Sequence, residues 1–270
     1  MTTPLSLSHL TALEVAPPAL FDLAAQAGYQ SVGLRILPAA PGAIAYPLSP
    51  AAVIDWRRRM AQAGVGVHDV EFIPLTPQVQ VDEFAKSLEL AAELGAKRIN
   101  VSGDDEDMAR LADRFAQLCD IAAGVGLGLD LEFMRFRAIG TLQQALEVIR
   151  LAGCPNGRLL IDALHLVRSG GTPQMLAQVP ADAVGSLQLC DAPLHLPAGM
   201  SLIDEARQAR LFPGEGALPL RQMLDALPSG TPLAVEVPTG LTHPQLDAKA
   251  RAEAACNATR RLLAARQEAQ

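Results

Sequence analysis

Eight times over, this chain follows a short strand-like run with a longer helical pattern, and no other feature of the sequence limits its fold so sharply. Strand candidates fall at 5–10, 31–36, 65–72, 98–102, 127–133, 158–162, 184–190 and 233–237. Helix candidates lie near 18–27, 50–63, 82–94, 105–123, 142–152, 164–178, 219–227 and 245–266. Strict alternation implies parallel strands joined by helical crossovers, and eight such units close a barrel. The expected fold class is α/β, a single (β/α)8 TIM barrel over 1–270. A doubly wound open sheet is the competitor, but no glycine-rich nucleotide loop follows the first strand.

Local punctuation supports these bounds. Pro17-Pro18 and Ser49-Pro50 suit helix starts, where the missing proline N–H does no harm. Gly28, Gly64, Gly95 and Gly153 fall just past helix ends, where a left-handed cap favours glycine. Phe84, Leu88, Ala91 and Ala92 recur at three- and four-residue spacing and predict one buried stripe. Half of the residues are hydrophobic but only 4% are aromatic, so the core must be mostly Leu, Val, Ile and Ala. One long connection, from Asp191 to about Pro219, carries His195, Arg207, Arg210 and Phe212-Pro213-Gly214-Glu215-Gly216. Connections of that length are usually functional, which predicts part of the active-site wall.

Charge narrows the function classes. A net charge of −7 with scattered basic residues argues against nucleic acid, since phosphate contacts need clustered Lys and Arg. The densest basic run, Arg57-Arg58-Arg59, reads as a solvated helix face. No apolar stretch reaches the length of a bilayer span, so no membrane partner is expected. Met1-Thr2-Thr3-Pro4 lacks a basic stretch before an apolar run, which argues against a secretory signal. Cysteines at 119, 154, 190 and 256 form no CxxC, and a reduced, cytoplasmic compartment is the simplest reading.

Side-chain alternation along barrel strands locates the chemistry. In 127–133 the leucines and Phe133 face the helices, so Gly128, Asp130 and Glu132 face inward, with Glu132 nearest the rim. The same parity turns Gln188 and Glu236 inward, and Asp162 ends the sixth strand. Four consecutive strands thus deliver Glu132, Asp162, Gln188 and Glu236 to one mouth. Three converging carboxylates repel one another unless a divalent cation takes their oxygens. Without His or Cys in that shell, the donors are hard oxygens, which favours Mn²⁺ or Mg²⁺ over Zn²⁺. Any one of these acids, alone, is more often a cap or an ion-pair partner than a ligand; four on successive strands with consistent parity point to the metal.

Asp130, one layer deeper, reads as structural and paired with an arginine. His165 follows Asp162 by three residues and can lean over the mouth as an acid, base or substrate contact. Arg35, Arg207 and Arg210 could hold a substrate carboxylate or phosphate, or pair with barrel acids. Parity in the third strand is ambiguous: His68 points inward and Glu71 does not, unless a bulge intervenes. Both stay as substrate-binding candidates, and His9 and His195 are further possibilities.

The stretches Leu129-Asp130-Leu131-Glu132, Ile161-Asp162-Ala163-Leu164-His165, Gln188-Leu189-Cys190-Asp191-Ala192-Pro193, Phe212-Pro213-Gly214-Glu215-Gly216 and Val235-Glu236-Val237 resemble the xylose isomerase-like barrel superfamily. That group includes sugar and sugar-phosphate isomerases and epimerases, inosose dehydratase and 3-dehydroshikimate dehydratases. The resemblance implies that Glu132, Asp162 and Glu236 are metal carboxylates and that homo-oligomers form. Most members have His where Gln188 stands, and the Gln-x-x-Asp-Ala-Pro form is similar to bacterial 3-dehydroshikimate dehydratases.

The first expectation is a metal-dependent sugar, sugar-phosphate or keto-sugar isomerase or epimerase, in which Glu132 or Glu236 moves a proton beside a carbonyl through an enediolate. The alternative is a lyase in which the same enolate expels a β-hydroxyl, with His165 as acid or base. A non-catalytic sugar-binding barrel is a third reading. The endonuclease branch of the superfamily needs many histidines, and five scattered ones argue against it.

Overall fold

In the computed structural model, which describes residues 3–268, eight parallel strands close into a barrel in the order β1 to β8. They are β1 (Leu5–Leu7), β2 (Ser31–Arg35), β3 (Gly66–Leu75), β4 (Arg98–Gly103), β5 (Gly128–Glu132), β6 (Gly157–Asp162), β7 (Val184–Leu189) and β8 (Leu233–Val235). Around them run α1 (Pro17–Ala27), α2 (Pro50–Ala63), α3 (Ala85–Leu94), α4 (Met108–Gly124), α5 (Leu142–Ala152), α6 (Ala163–Arg168), α7 (Pro173–Leu176), α8 (Leu202–Gln208), α9 (Leu220–Ala226) and α10 (Ala248–Gln267). Met1 and Thr2, on which the reading of the chain start rests, lie outside the described residues.

Local chemistry sets the helix limits. Prolines occupy the first turns of α1 and α2, and Ser49 accepts from the Ala52 N–H. Thr141 and Gln144 form a reciprocal capping box at the start of α5. Gly28, Gly64, Gly95 and Gly153 close α1, α2, α3 and α5 with φ of 92°, 68°, 101° and 63°, a region that a Cβ disfavours.

Between the sheet and the helices lies the aliphatic layer expected from the composition: Leu34, Ile73, Leu88, Val101, Leu129, Leu131 and Val235 are fully buried, with Phe21, Phe115 and Phe133 among them. Burying each large apolar side chain contributes about 1.5–3 kcal/mol. The barrel interior below the mouth is polar instead. Arg98 Nε donates to Asp130 Oδ1 at 2.7 Å, and Ser186 donates to the other oxygen at 3.3 Å. This is the arginine pair that the depth of Asp130 predicts. A Cβ on Gly185 would overlap that carboxylate, so close packing there requires glycine.

Two expected elements differ. The helix expected at 164–178 is broken into α6 and α7 by Ser169-Gly170-Gly171-Thr172, because Gly170 takes φ +83° and Thr172 caps a new start at Pro173. The long connection after β7 is not structureless, since it contains α8. None of the helices among the described residues is long and apolar enough to cross a membrane.

The register of β3 decides its parity. Val32 pairs with Val67 and Gly33 with Asp69, so His68 is the extra residue of a bulge. Asp69 and Glu71 consequently turn inward. A second shift separates Glu71 from Ile73, and the Glu71–Phe72 peptide is cis.

Candidate active site

At the strands' C-terminal ends a pocket of about 500 Å³, open to solvent, is lined by Arg35, Glu71, Glu132, His165, Arg207, Arg210 and Glu236. Leu10, Phe72, Met134, Phe136 and Ala206 supply its apolar part, and Arg137 a further cation. Glu132 is the last residue of β5, Asp162 the last of β6, and Gln188 lies one before the end of β7. Glu236 follows directly on β8, where its N–H donates to the Leu189 carbonyl at 3.0 Å. All four side chains are buried.

Glu132, Asp162 and His165 each bring one ligand atom within 4.8 Å of the other two. His165 Nε2 lies 3.7 Å from Glu132 Oε1, and the ring meets Phe136 edge-on. Asp162 caps α6 by accepting the His165 N–H at 2.9 Å, which fixes where that imidazole sits. Arg210 reaches Asp162 Oδ2 at 2.5 Å and Glu236 Oε2 at 3.0 Å. Gln188 Nε2 donates to Glu236 Oε1 at 3.1 Å, and Ser8 donates to the same oxygen at 2.6 Å.

Charge crowding is severe. Burial, followed by the Glu236 and Asp162 charges, pushes the Glu132 carboxyl well above its ordinary range. Burial raises Glu236 to about 7 against the pull of Arg210. Asp162 goes the other way: burial opposes ionisation, but Arg210 and His165 together hold the carboxyl below its usual value. Burial also lowers His165 to about 4, so its imidazole is neutral at pH 7.

These residues fit a divalent ion. Gln188 Oε1 is buried and accepts no hydrogen bond, which leaves a hard donor unspent on a side chain bonded to Glu236 and paired in register with Asp162. His165, expected only as an acid, base or substrate contact, stands within the donor group. The shell is therefore not confined to oxygen, and the ground for preferring Mn²⁺ or Mg²⁺ over Zn²⁺ is weaker than the sequence indicated.

The remaining sequence candidates divide. Glu71 faces the pocket and accepts from Arg35 Nη2 at 2.6 Å, so the two neutralise one another. Arg207 lines the rim from α8. Arg210, expected as a substrate-binding group, is instead 1% exposed and engaged by Asp162 and Glu236, although an edge of it borders the pocket. His68 requires a correction as a substrate-binding residue: displaced by its own bulge, it is absent from the pocket lining and lies 4.0 Å from Asp69 on the deeper part of β3. His9 is a structural residue in a 3-10 turn, bridging the Arg35 N–H at 2.9 Å and the Val15 carbonyl at 3.0 Å. His195 has no place in the pocket lining.

Several contributors escaped the sequence reading. Asp191, three residues after Gln188, accepts from the N–H groups of Ala192, Gly214 and Leu218 at 2.9–3.0 Å, and so folds the Phe-Pro-Gly-Glu-Gly turn against β7. Its spacing from Gln188 was the available signal. Arg168 grips buried Glu205 through two bonds of 2.7 Å and thereby ties α6 to α8. Ser8, past β1, shares the inward parity of Ser6. Arg137 and Phe136 come from an irregular turn after β5, where periodicity offers no guide.

Residues 21–262 match the profile of the xylose isomerase-like TIM barrel family. The chain belongs to that family. Among curated proteins it is 32% identical over 161 residues to a 3-dehydroshikimate dehydratase of Pseudomonas aeruginosa, a match covering 56% of this chain and 25% of that protein. It is 27% identical over 157 residues to an inosose isomerase of Bacillus velezensis, covering 54% of each. The chain thus spans about a quarter to a half of the length of these relatives. Among solved structures, the IolI protein with a bound zinc atom superposes with a TM-score of 0.81 at 19% identity, covering 97% of this chain and 98% of that one. A D-psicose 3-epimerase gives 0.72 at 13% identity, covering 95% and 96%.

Proposed function

We propose that the chain is a divalent-metal-dependent isomerase or epimerase that moves a proton at the carbon beside a carbonyl of a small polyhydroxylated substrate. The carrying observation is that Glu132 and Glu236 enter one pocket from β5 and from the end of β8, two buried carboxyls facing the same space. A carboxyl near neutrality both takes and returns a proton, which is what epimerisation or isomerisation asks of it. Glu132, Asp162, Gln188 and Glu236 would hold the ion, with His165 in reach; when bound, it supplies Lewis-acid polarisation of the substrate oxygen. A carboxylate that gives one oxygen to an ion keeps the other for the proton. Arg210 fixes Asp162 and Glu236 in place, Ser8 orients Glu236, and the Arg35–Glu71 pair offers donors and acceptors to substrate hydroxyls. Phe72, Met134 and Phe136 give the lining apolar surface.

A lyase is the second reading, favoured by Gln188 and by the likeness to 3-dehydroshikimate dehydratases. There the same carbon is deprotonated by the neutral His165, and a β-hydroxyl leaves as water with a proton handed over by the carboxyl of Glu132 or Glu236. The test is a panel of keto-sugars, sugar phosphates, inososes and 3-dehydroshikimate, run in D₂O with Mn²⁺-loaded protein. An isomer carrying solvent deuterium supports the first reading. Loss of water with a new ultraviolet chromophore supports the second. Ligand binding without turnover contradicts both and leaves a non-catalytic sugar-binding barrel.

A further inference from the structure

The strand that delivers Glu236 stops before it reaches that residue. β8 ends at Val235, and β1, its neighbour where the barrel closes, ends at Leu7, the residue paired with Val235. Beyond this pair the chain leaves β1 and enters the 3-10 turn His9–Ala12, so no β1 residue continues the ladder beside Glu236 and Val237. On the β7 side the ladder does continue, through the Glu236 N–H and the Leu189 carbonyl.

A side chain takes the place of the missing strand. The buried Thr11 hydroxyl donates to the Val235 carbonyl at 3.0 Å and accepts the Val237 N–H at 2.9 Å, so it grips the backbone on both sides of Glu236. Valine would fill the same volume, but it would leave the Val237 N–H buried without an acceptor. The turn is itself anchored: Arg251 on α10 donates through Nε to the Thr11 carbonyl, and His9 accepts the Arg35 N–H. Ser8, Gln188 and Arg210 orient the Glu236 carboxyl by its oxygens, whereas Thr11 sets the backbone from which that carboxyl starts. A misplacement of about 1 Å at a reacting group can cost about 100-fold in rate, so this backbone position matters to the chemistry.

We propose that Thr11 is a positioning residue: its hydroxyl stands in for an absent strand residue at the barrel seam and fixes where Glu236 enters the pocket. This rests on the role given to Glu236 above and adds to it a residue that does not line the pocket.

The test is a double-mutant cycle of Thr11→Val and Glu236→Gln, read by calorimetric titration with Mn²⁺ and by steady-state kinetics at saturating Mn²⁺. Thr11→Val should weaken Mn²⁺ binding about 10-fold, the lower range for loss of a group that supports a ligand, and lower kcat by a similar factor with KM nearly unchanged. In the Glu236→Gln background the same substitution should change neither value further, because the two residues act in series. Thr11→Ser, which keeps the hydroxyl, should restore both values. Thr259→Val, which removes another buried hydroxyl within α10, should lower the melting temperature but leave Mn²⁺ affinity and kcat alone. In the metal-free protein, hydrogen exchange at the Val237 amide should quicken at least about 10-fold in Thr11→Val and return to the wild-type rate in Thr11→Ser. Should melts show that Thr11→Val does not fold, Thr11→Ala takes its place. Wild-type Mn²⁺ affinity in the variant, an equal loss in both backgrounds, or no rescue by serine would overturn the proposal. A wild type that takes up no Mn²⁺ and turns over no substrate counts against the function instead; exchange at Val237 then decides Thr11 alone, and an unchanged rate would overturn its role.

Discussion

Gln188 donates one hydrogen bond to Glu236, Nε2 to Oε1 at 3.1 Å, while its own Oε1, equally buried, receives none. Turning the amide over would set two acceptors against each other, so the network fixes its orientation. An unspent acceptor next to Glu236 and Asp162 is what a hard cation would use. Arg210, bridging Asp162 and Glu236, supplies part of the positive charge that this cluster needs.

Glu236→Gln removes the carboxyl that burial holds near 7. Turnover is expected to fall at least about 100-fold, the lower range for loss of a positioned acid–base group. Metal affinity should fall with it. Undiminished activity in steady-state assays would show that the proton is moved elsewhere.

Arg210→Met leaves two buried carboxylates without their guanidinium, which should cost the metal-free protein about 3–5 kcal/mol. Saturating Mn²⁺ should restore much of the lost melting temperature, because binding to the folded state alone stabilises it. A variant as stable as the wild type, or one that Mn²⁺ does not rescue, contradicts the charge arrangement.

Asp69 faces inward on β3, and burial, reinforced by the Glu71 charge, raises its pKa well above the ordinary value of 3.8. The folded state keeps a proton that the unfolded chain releases near 4. Asp69 therefore contributes stability fully below that pH, and the contribution is lost as pH rises toward the folded value. Asp69→Asn should flatten this dependence and raise the melting temperature at pH 8 by about 2–4 °C, the shift about 1 kcal/mol produces in a domain of this size. A melt at pH 8 no higher than wild type would contradict it.

Asp191→Ala frees three backbone N–H groups that now share one carboxylate. A loss of about 2–4 kcal/mol in denaturant unfolding is expected from unmade charge-assisted bonds. Because the turn it folds lies next to α8 and Arg210, KM should rise as well. Wild-type stability in this variant would mean that the turn holds by its glycines alone.

Sequence parity placed Glu132, Asp162, Gln188 and Glu236 at the strand ends where the structure has them, because a two-residue period is rigid wherever a strand is regular. At the third strand it left the choice open, with Glu71 inward only if a bulge intervened; the bulge is there, one residue inverts everything beyond it, and nothing in Val67-His68-Asp69 announces it. The break between α6 and α7 was legible in Gly170-Gly171 and Pro173 but lost to a continuous apolar pattern. Arg137 and Asp191 act from irregular backbone, where a side chain's direction depends on tertiary contacts. The burial of Arg210 likewise depends on α8, which the sequence presented as a loop.

Metal analysis by mass spectrometry after dialysis against Mn²⁺ bears most directly on the central claim, with the wild type set beside a Glu132→Gln/Asp162→Asn double variant. The account predicts about one ion per chain in the wild type and loss of stoichiometric binding in the variant. Absence of bound metal in the wild type, or equal uptake by both proteins, would contradict it.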